Sequence, residues 1–165
     1  MSSPTHDYDW SSFVPTERAV IAFARRDGHI LLIHKKRGLG AGKINGPGGR
    51  IEQGESPVQA AVRETREEVG LTLRDPEEAA TLRFVFLDGY HLLVYVFVSR
   101  EFDGTLVETD EAKPFWVPVT AIPYDAMWAD DAHWLPRVLD GRYVEGRFTF
   151  DGDSMLSSNV VVHPR

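Results

Sequence analysis

The sequence predicts an α+β fold in which helices pack on one mixed β-sheet. Three of the chain's Asp-Gly pairs stand between apolar runs, where such pairs favour the tight turns of β-hairpins. These pairs are Asp27-Gly28, Asp88-Gly89 and Asp151-Gly152. The runs beside them are rich in the β-branched and aromatic residues that strands favour. They cover residues 19–24, 30–33, 81–87, 92–98 and 148–150. The sheet is therefore expected to consist largely of hairpins.

A helix between the first two hairpins is marked by capping signals at both ends. Ser56 suits the N-cap position, and Gln59 stands where it closes a capping box. Gly70 suits the left-handed residue that follows a helix. A second helix is predicted near residues 131–139, and Pro136 leaves its extent open.

Length, charge and cysteine content bound the classes of function. The 165 residues suit one compact domain, expected at residues 17–165 after a flexible N-terminal arm at residues 1–16. Its 18 Lys and Arg against 25 Asp and Glu give a net charge of −7, which repels nucleic acid polymers. No apolar run reaches the ~20 residues of a membrane span, and the arm lacks a secretory signal. Zero cysteines exclude disulfides and thiolate sites. We expect a cytoplasmic protein, either a monomer or a small homo-oligomer.

A local run of cations interrupts this acidic chain between Asp27 and Glu52. No acidic side chain lies between those two positions. Five cations do, namely Lys35, Lys36, Arg37, Lys43 and Arg50. The run fits either a solvated face or a local phosphate site, and the glycines among the cations favour the phosphate site.

The first helix carries carboxylates on one arc and apolar residues on another. The apolar arc, expected to face the core, comprises Val58, Ala61, Val62, Thr65 and Val69. Glu64, Glu67 and Glu68 occupy neighbouring positions, where each like-charged pair costs about 0.2 to 0.5 kcal/mol. The acidic arc fits either a solvated face neutralised by Arg63 and Arg66 or a site for a hard cation such as Mg²⁺.

The residues around this helix resemble the Nudix family. The family motif, G-x5-E-x7-R-E-U-x-E-E-x-G-U with U a bulky aliphatic residue, matches residues 49–71 at every charged and glycine position. Thr65 departs from it by replacing an aliphatic residue. The resemblance implies an α/β/α sandwich with a loop-helix-loop site for Mg²⁺, or for Mn²⁺ in its place. It implies an ion pair of Arg63 with Glu55 that braces the motif. The implied metal ligands are Glu64, Glu67, Glu68 and the carbonyl of Gly48.

Hydrolysis of a polyphosphate explains why carboxylates are needed. Attack of water on phosphorus requires charge neutralisation, positioning and a base, to which metal ions and a carboxylate contribute. The motif leaves open which glutamate is the base. Glu111 lies outside the motif, where related proteins place a further acid near the metal. A surface acid in a loop is the alternative for Glu111.

Two further stretches, residues 35–49 and 128–136, resemble the Nudix enzymes that hydrolyse oxidised purine nucleoside triphosphates. By this resemblance Asn45, Asp130 and Asp131 read the edge of the base, and Trp128 covers its face. The other residues implied to line the pocket are Lys35, Leu39, Phe84 and Phe86. Without the resemblance, the favoured interpretation of Trp128 is a core residue, and that of the two aspartates is a helix N-cap pair.

Several departures from those enzymes bear on the choice of base. Leu39, Ile44 and Pro47 replace aromatic residues, and Val20 replaces a residue with a hydroxyl group. The implied reaction is metal-dependent hydrolysis of a triphosphate such as 8-oxo-dGTP to monophosphate and pyrophosphate. Alternative substrates are a normal dNTP, a dinucleoside polyphosphate and ADP-ribose. A non-catalytic nucleotide-binding module is a further alternative, although such modules usually lose the motif glutamates.

Overall fold

A computed structural model describes residues 8–164. Their strands and helices follow in chain order. The strands are β1 (Glu17–Arg26), β2 (His29–Lys35), β3 (Ile44–Asn45), β4 (Gly48–Arg50), β5 (Leu71–Arg74), β6 (Glu77–Phe86), β7 (His91–Ser99), β8 (Glu101–Gly104), β9 (Ala112–Pro118), β10 (Tyr143–Asp151) and β11 (Ser154–His163). The α-helices are α1 (Pro57–Val69) and α2 (Asp131–Leu139).

The main sheet is mixed, as the sequence predicts. Within the described residues it has nine strands, with the order β11-β10-β6-β7-β1-β2-β3, while β4 pairs with β1 and β9 pairs with β2. The pairs β1–β7 and β6–β10 are parallel. A separate small sheet joins β5 to β8 in an antiparallel pair.

All three predicted hairpins are present, as β1–β2, β6–β7 and β10–β11. In the first turn both Asp27 (φ 52°) and Gly28 (φ 74°) have left-handed backbones. Two left-handed residues in a row are typical of a type I′ turn, whose twist matches that of the strands beside it. The Asp-Gly signal therefore acts through the backbone geometry that glycine permits.

Helix α1 begins and ends where its capping signals predict. The hydroxyl of Ser56 accepts from the Gln59 N–H at 3.2 Å, and the Gln59 side chain accepts from the Ser56 N–H at 2.9 Å. Gly70 has a φ of 83°. Thr65 and Val69 are buried as predicted. The prediction for Val58 is wrong, because its side chain lies in the first turn, beyond the buried part of the helix, and is 39% exposed.

The core consists of two clusters on opposite faces of the main sheet. One cluster joins α1 residues such as Ala61 and Val69 to β1 and β7. The other joins Trp134 of α2 to Phe148 and Phe150 of β10. A helix therefore packs on each face, which confirms the α/β/α sandwich. Neither of the helices within residues 8–164 has the length and hydropathy needed to cross a membrane.

The described part of the N-terminal segment packs on the sheet. It forms a short 3-10 helix at Trp10–Ser12, and the ring of Phe13 stacks on His91 with centroids 5.7 Å apart. The Thr16 N–H donates to the His91 carbonyl at 2.7 Å. Of the predicted flexible arm, residues 1–7 lie outside the described residues. Residues 8–16 make these ring contacts and hydrogen bonds, and the flexibility of the arm stays a prediction.

Candidate functional site

One cavity of about 760 Å³ contains both parts of the predicted site. Carboxylates of α1 and of the segment before β9 line its first part, which we call the carboxylate part. Aromatic side chains of β6 and the start of α2 line the second, which we call the aromatic part. All of the predicted substrate-binding residues line this cavity, namely Lys35, Leu39, Asn45, Phe84, Phe86, Trp128, Asp130 and Asp131.

Three carboxylates converge in the carboxylate part. Glu64, Glu68 and Glu111 each place one oxygen within 4.8 Å of the other two. Glu64 and Glu68 are one turn apart on α1, whereas Glu111 comes from a distant part of the chain. Glu67 lies outside this cluster: its side chain is 55% exposed and lies 3.2 Å from the Arg63 guanidinium.

Glu68 is the most buried member of the cluster, with 2% of its surface exposed. Its carboxylate accepts a hydrogen bond from the Gly48 N–H at 2.7 Å. Burial, with repulsion from Glu64 and Glu111, raises the pKa of Glu68 to about 8, although the Gly48 hydrogen bond and Lys35 oppose this rise. Burial likewise raises the pKa of Glu64. Converging oxygen donors whose negative charge is only partly compensated fit a hard divalent cation.

Arg63 ties the helix to the loop before it. Its guanidinium makes a two-point ion pair with Glu55, at 2.7 and 2.9 Å, and contacts Glu64 at 2.7 Å. The hydrogen bonds from Arg63 lower the pKa of Glu55 to about 2. A further bond of 3.1 Å reaches the carbonyl of Arg50 in β4. The ion pair implied by the resemblance is thus present, and it orients Glu64.

The glycines before the helix are required by close packing. A Cβ atom on Gly49 would lie 2.5 Å from the Glu64 carboxylate, and one on Gly48 would lie 2.1 Å from the Val20 carbonyl oxygen. Both distances are far below van der Waals contact. Thr65, the departure from the motif, is 1% exposed and donates its hydroxyl to the Ala61 carbonyl at 2.8 Å. The buried hydroxyl is therefore satisfied within the helix.

Hydrogen bonds and an ion pair fix the segment that carries Glu111. The Thr109 hydroxyl donates to the Glu68 carbonyl at 2.9 Å, and the Lys36 N–H donates to the Glu111 carbonyl at 2.9 Å. The Arg37 guanidinium lies 3.2 Å from the Glu111 carboxylate. These contacts join Glu111 both to the end of α1 and to the segment after β2.

The five cations between Asp27 and Glu52 differ in whether they form an ion pair. Four of their side chains lie within 4.0 Å of a carboxylate. The pairs are Lys36–Glu108, Arg37–Glu111, Lys43–Asp153 and Arg50–Glu17. Lys35 has no such partner among residues 8–164, and it lines the cavity. Burial lowers the pKa of Lys35, although Glu68, Glu111 and Glu64 attract its charge. Among residues 8–164, Lys35 is therefore the cation of the run that lines the cavity without a carboxylate within 4.0 Å.

Asp130 and Asp131 lie at the start of α2, 2% and 7% exposed. Asp130 is at the N-cap position, but its side chain makes no capping hydrogen bond. Its carboxylate instead accepts from the indole N–H of Trp134 at 2.8 Å. Burial raises the pKa of both aspartates, and the charge of Asp130 adds to the rise at Asp131. Such a pair favours holding one proton between its two members.

Trp128 is held by contacts on several sides. Its ring meets Phe86 and Phe150 at steep angles, with centroids 6.2 and 5.5 Å away. The Lys43 ammonium lies 5.4 Å from its ring centroid. A Cβ atom on Gly40 would lie 2.6 Å from the indole nitrogen, so glycine permits this close approach. The loop between β2 and β3 thus packs against Trp128.

This geometry agrees with comparison to known proteins. The sequence model of the NUDIX domain matches residues 15–138. The chain belongs to the Nudix family. It is 40% identical over 130 residues to the oxidized purine nucleoside triphosphate hydrolase of Danio rerio, covering 78% of this chain and 83% of that protein. The protein of the same name from Mus musculus is 37% identical over 133 residues, covering 79% and 85%.

The fold has a counterpart among solved structures. The MutT protein of Bacillus halodurans superposes with a TM-score of 0.79 at 26% identity, covering 87% of this chain and 97% of that one. Nudix hydrolases act on nucleotide substrates and generally need a divalent metal. The three converging carboxylates fit that requirement, because they supply hard oxygen donors in a partly buried place.

Some residues around the Nudix site, or their contacts, could not be predicted from the sequence. Arg37 pairs with Glu111, and Lys43 contacts both Trp128 and Asp153. Both cations belong to the noted run, but nothing in the run reveals their partners. Tyr90 lines the cavity, and burial with a hydrogen bond to Glu17 raises its pKa to about 12. No local signal marks this tyrosine, because its partner lies far away in the chain.

Proposed function

We propose that this chain hydrolyses oxidised purine nucleoside triphosphates, with 8-oxo-dGTP as the best single candidate, to monophosphate and pyrophosphate. One observation carries the proposal: the carboxylate cluster and the buried pair Asp130–Asp131 line the same cavity. The names of the zebrafish and mouse relatives support the same substrate class. Retention of every motif glutamate argues against a non-catalytic module.

At the carboxylate part, Mg²⁺ or Mn²⁺ is the proposed cofactor. When bound, such a cation neutralises charge on phosphate oxygens and acidifies a coordinated water. Glu64, Glu68 and Glu111 would hold it, and Glu67 and the Gly48 carbonyl stay proposed ligands. Arg63 keeps Glu64 in place through the contact of 2.7 Å.

The other charges in this part act directly on the substrate. Lys35, unpaired among the described residues, offers its ammonium to the triphosphate. A carboxylate of the cluster takes the proton from the attacking water.

At the aromatic part, the base is recognised by its edge and its face. Oxidation of guanine at the five-membered ring adds a carbonyl oxygen and an N–H. An aspartate pair that shares one proton offers a donor beside an acceptor, which matches this altered edge. Asn45 supplies a further amide, and Trp128 stacks on the purine. A normal guanine would leave part of this polar set unpaired, at a cost of about 1 to 3 kcal/mol.

A panel of nucleotides tests the substrate assignment. Rates of pyrophosphate and phosphate release are measured for 8-oxo-dGTP, 2-hydroxy-dATP, dGTP, dATP, a dinucleoside polyphosphate and ADP-ribose. We expect the oxidised purine triphosphates to have the highest kcat/KM and to release pyrophosphate. Higher kcat/KM for ADP-ribose or a dinucleoside polyphosphate would overturn the assignment.

The position of attack is tested with ¹⁸O-labelled water. The resemblance implies attack at the β-phosphorus, so we expect the label in pyrophosphate. Label in the monophosphate would instead indicate attack at the α-phosphorus and a different orientation of the triphosphate.

A further inference from the structure

A second concave surface lies on the face of the main sheet that α1 only partly covers. Here β6, β10 and β11 meet the N-terminal 3-10 helix around a cleft of about 420 Å³, which we call the rear cleft. Its lining shares no residue with the cavity that contains the carboxylate and aromatic parts, which we call the nucleotide cavity. On β6 and β10, Phe84 and Phe148 each follow a residue that lines the cleft, so their side chains lie on the opposite face of the sheet. There they pack in the core cluster that contains Trp134. The sheet therefore separates the rear cleft from the aromatic part of the nucleotide cavity.

Two arginines line the rear cleft. Arg83 of β6 and Arg147 of β10 are direct neighbours in the register of the parallel pair, and both line the cleft. Like charges opposite each other on neighbouring strands destabilise a sheet. Within residues 8–164, neither guanidinium lies within 4.0 Å of a carboxylate. Within residues 8–164, these two side chains therefore have no ion-pair partner at that distance.

The one carboxylate that lines the cleft has a different partner. Glu145 is two residues before Arg147 on β10, and its carboxylate lies 3.3 Å from the His163 ring on β11. The side-chain amide of Asn159, also on β11, adds a neutral hydrogen-bonding group to the lining. The cleft thus offers two cationic forks and an amide.

Aromatic rings form the wall of the cleft. Trp10 and Phe13 of the N-terminal segment line it, with ring centroids 5.8 Å apart. The Arg147 guanidinium lies 5.8 Å from the Trp10 ring centroid. A ring that enters the cleft would meet flat apolar surface beside the two guanidinium groups.

We propose that the rear cleft binds an organic anion that joins a phosphate or carboxylate group to a planar ring. Paired guanidinium groups bind such oxyanions through several charge-assisted hydrogen bonds. The bound oxyanion relieves the repulsion between Arg83 and Arg147, and the ring packs against Trp10 and Phe13. A volume of about 420 Å³ suits a small ligand of this kind.

The indole N–H signals of the four tryptophans provide a site-resolved binding assay. Trp10 reports on the rear cleft and Trp128 on the nucleotide cavity, and single Trp→Phe variants assign the signals. Phenyl phosphate and benzoate are titrated as probes, with inorganic phosphate and phenol as the anion-only and ring-only controls. We expect a saturable shift of the Trp10 signal with at least one ring-bearing anion, binding at least tenfold tighter than either control. The better of the two probes identifies phosphate or carboxylate as the preferred group.

Charge variants decide whether the arginine pair causes the binding. Arg83→Gln and Arg147→Gln should each weaken the better probe by about tenfold or more, while the thermal stability of the free protein holds or rises. Arg142→Gln removes an equal charge from an exposed position outside the cleft and should leave binding unchanged. Movement of the Trp128 signal alone, equal affinity for inorganic phosphate, or equal weakening by Arg142→Gln would each overturn the proposal.

Discussion

Two groups of carboxylates face the same cavity, and their surroundings differ. In the carboxylate part, cations accompany the acids: Arg63 lies 2.7 Å from Glu64, and Arg37 lies 3.2 Å from Glu111. In the aromatic part, Asp130 accepts from an indole N–H at 2.8 Å. No Lys or Arg side chain of residues 8–164 lies within 4.0 Å of either aspartate.

This difference shows how carboxylate side chains can serve two purposes in one cavity. Three converging carboxylates with partial compensation have an excess of negative charge, which a divalent cation removes. Two adjacent aspartates in an apolar place lower their free energy by keeping a proton, which makes one of them a hydrogen-bond donor. Surroundings, rather than residue type, separate the proposed metal site from the proposed base-reading site.

The largest expected effect is at the metal site. Glu68→Gln removes the most buried carboxylate of the cluster and should lower kcat by about 10³-fold. Thermal stability in excess chelator should hold or rise, because the change relieves repulsion with Glu64 and Glu111. Glu67→Gln is the matched control on the same helix. It should cost less activity, since its side chain is 55% exposed and outside the cluster.

Steady-state kinetics with a Mg²⁺ titration measure both variants. An equal or larger loss of kcat in Glu67→Gln would mean that Glu67 is a main metal ligand. Full activity of Glu68→Gln, or of the wild type in chelator, would contradict the metal site.

The next effect concerns recognition of the base. Asp131→Asn keeps the shape of the side chain but removes the shared proton, so KM for 8-oxo-dGTP should rise about 10- to 100-fold. The kcat and the Mg²⁺ dependence should change little, because the carboxylate cluster is intact. Asp125→Asn, at an exposed acid near α2, should change neither constant. A loss confined to kcat would mean that the two parts of the cavity are not separate in function.

Stacking should give a smaller effect. Trp128→Leu keeps apolar contact but removes the flat ring, and KM should rise by about tenfold for any purine triphosphate. The ratio of kcat/KM for 8-oxo-dGTP to kcat/KM for dGTP should stay close to that of the wild type, because stacking does not read the altered edge. Leu39→Ala, at a side chain 49% exposed, is the milder comparison. A changed ratio in Trp128→Leu would mean that the indole ring contributes to the choice between oxidised and normal base.

The smallest effect is a pH dependence of stability. The folded-state pKa of Asp131 is raised, so its stabilising contribution is full below the ordinary aspartate pKa of 3.8 and is lost as pH rises through the raised value. Asp131→Asn cannot lose a proton. Its melting temperature relative to the wild type should therefore increase from pH 5 to pH 8. A constant difference across this range would mean that Asp131 is ionised throughout.

Local signals predict the fold where they coincide with apolar patterning. Asp27-Gly28 forms a hairpin turn because apolar runs flank it. Two other Asp-Gly pairs do not join a hairpin: Gly104 ends β8, and Asp140-Gly141 follows α2. The capping signals of α1 are equally local and give its bounds correctly. Dipeptides alone are therefore weaker signals than dipeptides with their flanking sequence.

The sequence predicts the candidate site less well where the role of a residue depends on its burial. Glu67 and Glu68 are adjacent in the motif, yet one is exposed and the other is 2% exposed. The arc of a helix can be calculated, but the depth of each position depends on strands elsewhere in the chain. The same holds for Glu111 and Arg37, which meet only because folding brings β2 and β9 together.

The discrimination between 8-oxo-dGTP and dGTP tests the central claim most directly. The ratio of their kcat/KM values is measured for the wild type, Asp130→Asn and Asp131→Asn at one pH and saturating Mg²⁺. We predict that the wild type prefers 8-oxo-dGTP and that each variant lowers this ratio by about tenfold or more. If both variants keep the wild-type ratio, the aspartate pair does not read the base, and the proposed separation of a proton-holding part from a metal-holding part is contradicted.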